Sequence, residues 1–162
     1  MATPQRRSSF QRAVETTASI ERAFQPGIQA LEPADRKRLA EADKQLATGS
    51  VFLDAAVRKQ YPTANRWDYG IGLGDGKAAE IVLWLEVHHS ASGQAELVVK
   101  KLEWLKDWLR TSAPELDRMP RKFVWLLSNV ETNPNDRNRR HRLAERHGLI
   151  RQHGILKLRD FV

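Results

Sequence analysis

The stretch RWDYGIGLGDGKAAEIVLWLEVHH, residues 66–89, decides the fold. From Arg66 to Leu73 the residues alternate, with Trp67, Tyr69, Ile71 and Leu73 on one face and Asp68, Gly70 and Gly72 on the other. A period of two is the mark of a strand. Gly74-Asp75-Gly76 follows, and Asp-Gly favours a two-residue hairpin turn. Residues 79–89 then read as a long strand, with Ile81, Leu83, Leu85 and Val87 on one face and Val82, Trp84, Glu86 and His88 on the other. The short turn makes the pair antiparallel. Asp68 lies eight residues before Gly76 and Glu86 ten after it, so a small bulge or bend brings the two carboxylates nearly opposite on one sheet face.

Beyond this hairpin, Ala95–Arg110 reads as a helix with a stripe of Val98, Leu102, Leu105 and Leu109, widened by Trp104 and Trp108. Pro114 and Pro120 bracket a connector. Lys122–Ser128 is a short apolar run, hence a buried strand. Asn133-Pro134-Asn135-Asp136 is a turn that can cap a basic helix, Arg137–His147, which Gly148 ends, and Ile155–Leu158 can form a last strand. Before the hairpin, residues 10–24 predict an amphipathic helix with Ser9 as its cap, ended by Gln25-Pro26-Gly27. Pro33 opens a helical run from Ala34 to Ala47, and Ser50 caps a further helix from Val51 to Gln60 that Pro62 stops. Helices between the later strands allow parallel crossovers. The expectation is an α/β fold: a mixed central sheet of about four strands with helices on both faces, preceded by N-terminal helices. It forms one domain overall, residues 1–49 being a helical extension packed on a core of 50–162.

A chain of 162 residues can build one real core. No run approaches the ~18 apolar residues of a membrane helix. The absence of cysteine removes disulfides, thiolate zinc sites and cysteine nucleophiles, and it agrees with a reducing cytoplasm. The first 24 residues are rich in Arg, Ser and Thr, but Glu15 and Glu21 argue against a transit peptide. Net charge is +7, and residues 118–162, with eleven Lys or Arg against four Asp or Glu, carry all of that excess. A basic half-surface attracts polyanions, nucleic acid first. The strongest electrostatic feature is the helix bearing Arg137, Arg139, Arg140, Arg142 and Arg146. Guanidinium groups bind phosphate through paired donors, which positions DNA or RNA without reading its sequence. The plain alternative is a solvated helix rim.

Two carboxylates one hairpin apart can hold a hard divalent cation, Mg²⁺ or Mn²⁺, through oxygens. Such a cation activates water and stabilises charge on a phosphoryl oxygen. The alternative is that Asp68 bonds a turn and Glu86 pairs with a nearby Lys or Arg. An acid closing a nearly wholly apolar strand is costly unless paired or metal-bound. Trp67-Asp68-Tyr69 and Glu86-Val87-His88 together resemble the PD-(D/E)XK nuclease superfamily, the restriction-endonuclease-like group, over roughly residues 50–161. There an acid on one core strand is followed by an acid-x-lysine signature on the next. The resemblance implies Asp68 and Glu86 as metal ligands and Asp68, Glu86 and His88 as the catalytic set. The residue before Asp68 is Trp67 rather than proline, and His88 stands where lysine is usual. A neutral histidine can accept a proton from water, and a protonated one can offset negative charge. The family often carries a polar or basic residue on the following helix, which brings in Lys100 and Lys101 as candidate nucleic-acid contacts. Ser90 and Gln94 flank the site loop and could touch a phosphate. The implied function is metal-dependent hydrolysis of phosphodiesters, in DNA before RNA, with low sequence specificity; a homodimer is compatible with it. The alternative is an inactive nuclease fold that binds nucleic acid or a protein. The glycines at 70, 72, 74 and 76 form no phosphate loop, because no Gly-Lys-Ser/Thr follows. The five histidines repeat no zinc-ligand spacing.

Overall fold

The computed structural model describes residues 6–76, 78–88, 94–127 and 134–162, with the backbone alone for His88, Gln94, Pro134, Asp136 and Arg137. Its centre is a five-stranded sheet, one strand more than expected: β1 (Ala47–Phe52), β2 (Tyr69–Leu73), β3 (Ile81–His88), β4 (Arg121–Leu127) and β5 (Leu149–His153), adjacent in chain order. β1, β2 and β3 form an antiparallel meander, and β4 and β5 add parallel to β3. The parallel steps are bridged by α4 (Gln94–Ser112) and α6 (Pro134–Arg146), as a parallel pairing requires. The mixed α/β class is as expected.

The N-terminal half departs from the expected helices. The first helix, α1 (Ser9–Glu15), is shorter than residues 10–24, and its cap is Ser8, whose side chain accepts from the Gln11 N–H. The run from Ala34 to Ala47 contributes a single turn, α2 (Pro33–Arg36), and a 3-10 segment, Glu41–Leu46. Ser50 and Val51 lie inside β1, and only α3 (Leu53–Val57) is helical in the stretch read as Val51–Gln60. Ser50 is buried in the strand, where its N–H and C=O pair with Gln25 and its hydroxyl accepts from the Ala30 N–H. Tertiary pairing has overridden a local capping preference. β1 also crosses position 49, so residues on both sides of it build the same sheet. The final strand is Leu149–His153; of the residues read as that strand, Leu156 makes a single bridge to Leu39.

The sheet separates two cores. One face packs Phe10, Val14, Leu53, Val57, Val98, Leu102, Leu105, Leu116 and Ala144 over Trp84 and Trp125, so α1, α3, α4, α6 and the short α5 (Pro114–Asp117) all lie on this side. The other face packs Tyr69, Ile71, Leu83, Leu85 and Val124 beneath Ile28, Leu31, Leu39, Leu156 and Leu158. The second cover is irregular chain with short helical segments, where helices were expected on both faces. Arg159, bonded to the buried Asp43 at 2.6 Å, fastens part of it. No helix among the described residues is long and apolar enough to cross a membrane.

Gly70 explains how close the helical layer can come. A Cβ there would lie 2.7 Å from Cζ3 of the fully buried Trp84. A ring locked in a close-packed core yields little. Gly70→Ala should therefore destabilise the fold by about 1–3 kcal/mol. Urea unfolding followed by circular dichroism checks this, and a loss under about 0.5 kcal/mol, typical of a surface change, would contradict it.

Candidate functional site

β2 and β3 are joined by residues 74–80 rather than by a two-residue turn, since Leu73 pairs with Ile81. The longer connection sets the register, Tyr69 opposite Leu85. The register runs without a shift from Leu73–Ile81 to Tyr69–Leu85, and Asp68 and Glu86 are the next residues beyond it. Adjacent strands lie about 4.8 Å apart, so the two side chains meet. Each carboxylate also takes the other strand's backbone donor: the Asp68 N–H donates to Glu86 Oε2 at 3.1 Å, and the Val87 N–H donates to Asp68 Oδ2 at 3.1 Å. The pair thus closes the hairpin's hydrogen-bond ladder with side chains. The Asp68 carbonyl accepts from the Leu53 and Asp54 N–H groups at 2.8 and 3.3 Å, which ties it to the start of α3. Asp54 is held in turn by Arg66, at 2.8 Å, and Arg58.

The third member comes from α4. Lys101 places its ammonium in direct contact with Glu86 Oε1 and 3.7 Å from Asp68 Oδ1. Glu86 has no exposed side-chain surface; Asp68 and Lys101 keep 20% and 17%. Fully buried Trp67, Trp84 and Trp125 belong to the core cluster on this face, and Trp125 is the register neighbour of Glu86 on β4. Next along that row, the Arg151 guanidinium lies 5.4 Å from the Trp125 ring centre.

Burial raises the Asp68 carboxyl to about 7; repulsion from Glu86 adds to this, and Lys101 and the Val87 N–H oppose it. Burial pulls the Lys101 ammonium down, but attraction to Glu86 and Asp68 outweighs that and leaves it raised. The cluster therefore sets an Asp68 carboxyl that burial inclines to keep its proton beside a firmly protonated Lys101.

The sequence pattern put Asp68 and Glu86 on one face, where they meet; it grouped Lys101 with Lys100 as a nucleic-acid contact and did not show that Lys101 pairs with the two acids. Lys100 is exposed and Lys101 is not. The signal was present: Lys101 is three residues after Val98 and four before Leu105, on the stripe that faces the sheet. Asp54 was also missed, because the segment around it read as a uniform helix. His88 continues β3 two residues beyond Glu86, paired with Leu127, while its side chain lies outside the described residues, as do Ser90 and the side chains of Gln94 and Arg137. On α6, Arg142 and Arg146 are exposed. Arg139 is exposed but pairs with Glu96 of α4, and Arg140 is buried, which takes it out of the exposed basic face.

Among the described residues no three His, Cys, Asp or Glu side chains gather as metal ligands, and the site brings two carboxylates together. Two oxygen ligands suit Mg²⁺ or Mn²⁺ with water and substrate oxygens completing the shell. The pair already holds a cation, the Lys101 ammonium, which is the observation that the donors fit positive charge. No family model matches this chain, and no curated protein and no solved structure matches it.

Folded Asp68 keeps its proton to about pH 7, whereas an unfolded Asp releases it near ~4. Between these values the folded state binds more protons, so raising the pH across this window lowers stability. Asp68→Asn cannot ionise. Its stability relative to wild type in chelator should rise between pH 4 and 8, by on the order of 1–4 kcal/mol. Urea titrations at both pH values test this, and an offset that stays constant with pH would contradict it.

Proposed function

We propose that this chain is a metal-dependent, PD-(D/E)XK-like nuclease that hydrolyses phosphodiester bonds, in DNA before RNA, with low intrinsic sequence specificity, in the cytoplasm. The observation that carries the reading is the convergence of Asp68 at the entry to β2, Glu86 of β3 and Lys101 of α4 on one sheet face. A buried ion cluster adds little stability over apolar packing of the same volume. Strongly perturbed carboxylates beside a specific charge partner collect at functional sites. The three antiparallel strands, the helix and the following parallel strand also agree with the restriction-endonuclease-like core that the motif implies.

Asp68 and Glu86 would hold Mg²⁺ or Mn²⁺, which would supply activated water and offset charge on the phosphate. The chain's own groups do the rest. Lys101 supplies the ammonium that the resemblance expects at position 88, from the helix instead of the strand. Its donors can reach a non-bridging phosphate oxygen and stabilise the charge that builds there. His88, two residues past Glu86, is the candidate base. It takes the proton of the attacking water as the new P–O bond forms and the bond to the leaving oxygen breaks, and solvent protonates that oxygen. Arg142 and Arg146 on α6, with Lys100 on α4, hold the phosphate backbone without reading bases.

A second reading has one observation in its favour: Glu86 is wholly buried, and Lys101 already satisfies it. In that reading the triad only ties β2, β3 and α4 together, and the basic surface binds nucleic acid or a protein without cleaving anything. One experiment separates the two. Purified protein is incubated with plasmid and with single-stranded DNA in Mg²⁺ or Mn²⁺, beside Glu86→Gln. Cleavage should fall about a hundredfold or more in the variant. Salt-sensitive binding with no cleavage by the wild type would support the second reading instead, and equal cleavage by both proteins would remove Glu86 from the chemistry.

A further inference from the structure

The Lys101 ammonium holds both carboxylates that a divalent cation would need. It approaches them from the end of a flexible four-carbon stem, and its side chain keeps 17% exposure, so it has a route outward. Glu86 offers no comparable freedom. It is fully buried on a central strand, its second oxygen fixed by the Asp68 N–H. Asp68 is held equally firmly, by the Val87 N–H on its side chain and by Leu53 and Asp54 on its carbonyl. When charge enters this cluster, Lys101 is the member that can move.

A divalent cation added beside the Lys101 ammonium would put three positive charges on two carboxylates, and like charges a few ångströms apart repel strongly at low dielectric. An ammonium leaving the pair needs a new counter-charge. Among the described charges around the cluster, Asp54 is already engaged by Arg66 and Arg58, though it still attracts the Lys101 ammonium. A phosphate is the anion that arrives with the substrate.

We infer that Lys101 is an exchangeable internal cation that makes divalent-metal uptake and phosphate binding cooperative: the metal takes the carboxylates as the ammonium transfers to the phosphate. The inference rests on the metal-binding reading above and adds an order of loading to it. Metal alone is opposed by Lys101, and metal with phosphodiester is not. By linkage the metal must strengthen phosphate binding by the same factor. The device keeps the site closed to metal in the absence of substrate.

The test is Mn²⁺ binding by the full chain, with free Mn²⁺ read by electron paramagnetic resonance. It is run with and without a short phosphorothioate DNA duplex, whose own Mn²⁺ binding is subtracted. Wild type should gain about 5- to 150-fold in Mn²⁺ affinity on adding duplex, the usual range of coupling between sites. Lys101→Gln should bind Mn²⁺ more tightly than wild type without duplex, by a similar factor, and gain little when duplex is added. If the variant does not fold in chelator, Mn²⁺ must restore its near-ultraviolet circular dichroism where K⁺ does not, and failure to recover overturns the inference. A variant no tighter than wild type, or a wild type indifferent to duplex, overturns the exchange while leaving the carboxylates as a metal site. Absence of Mn²⁺ binding in both proteins, with and without duplex, overturns the metal reading and the exchange with it.

Discussion

A carboxylate without exposed surface has to be neutralised where it stands, and Glu86 stands in the middle of the sheet among tryptophans. Leaving such a charge unpaired would cost several kcal/mol. Its two oxygens are met from two directions, by the ammonium of Lys101 above the sheet and by the Asp68 N–H beside it. Those partners fix how the surrounding elements lie. Lys101 holds α4 at one height over β3, and Asp68 holds the entry of β2 in register with the exit half of β3. The start of α3 follows, because its first N–H groups bond the Asp68 carbonyl.

The apolar packing is consistent with that constraint. Gly70 and Gly72 carry no side chain on the helical face, so Trp84 and Phe10 press against the β2 backbone. The row Glu86, Trp125, Arg151 crosses β3, β4 and β5, with Asp68 beside Glu86 at the entry to β2, and passes from paired acids through an aromatic ring to a guanidinium. The acids therefore occupy a low-dielectric setting in which Asp68 and Lys101 keep part of their surface exposed. That setting raises the Asp68 carboxyl and strengthens every charge interaction made there.

How much of this was legible in the chain depended on whether the information was local. The alternation in residues 66–89 placed Asp68 and Glu86 on one face because side-chain direction in a strand has a period of two. The α4 stripe was equally plain. The turn was read too tight, since Asp75-Gly76 favours a two-residue hairpin and the extra residues between Leu73 and Ile81 have no strong signature; the looser connection is what brings the acids into direct register. β1 was invisible because Ala47–Phe52 contains Gly49 and Ser50, poor strand formers made stable by pairing with β2 and by Gln25. The role of Lys101 required knowing that the stripe of α4 lands over the acids, a fact of tertiary packing. The basic helix was easy to see, but not that Arg140 turns inward and Arg139 engages Glu96.

The central claim is that the carboxylates of Asp68 and Glu86 serve a divalent cation whose place Lys101 keeps. The most direct measurement is a crystal structure determined in Mn²⁺ with anomalous data. The account predicts an anomalous peak at roughly 2.0–2.2 Å from oxygens of both carboxylates, with the Lys101 ammonium withdrawn from Glu86. An ammonium still bonded to Glu86 in saturating Mn²⁺, with no peak between the two acids, would contradict it.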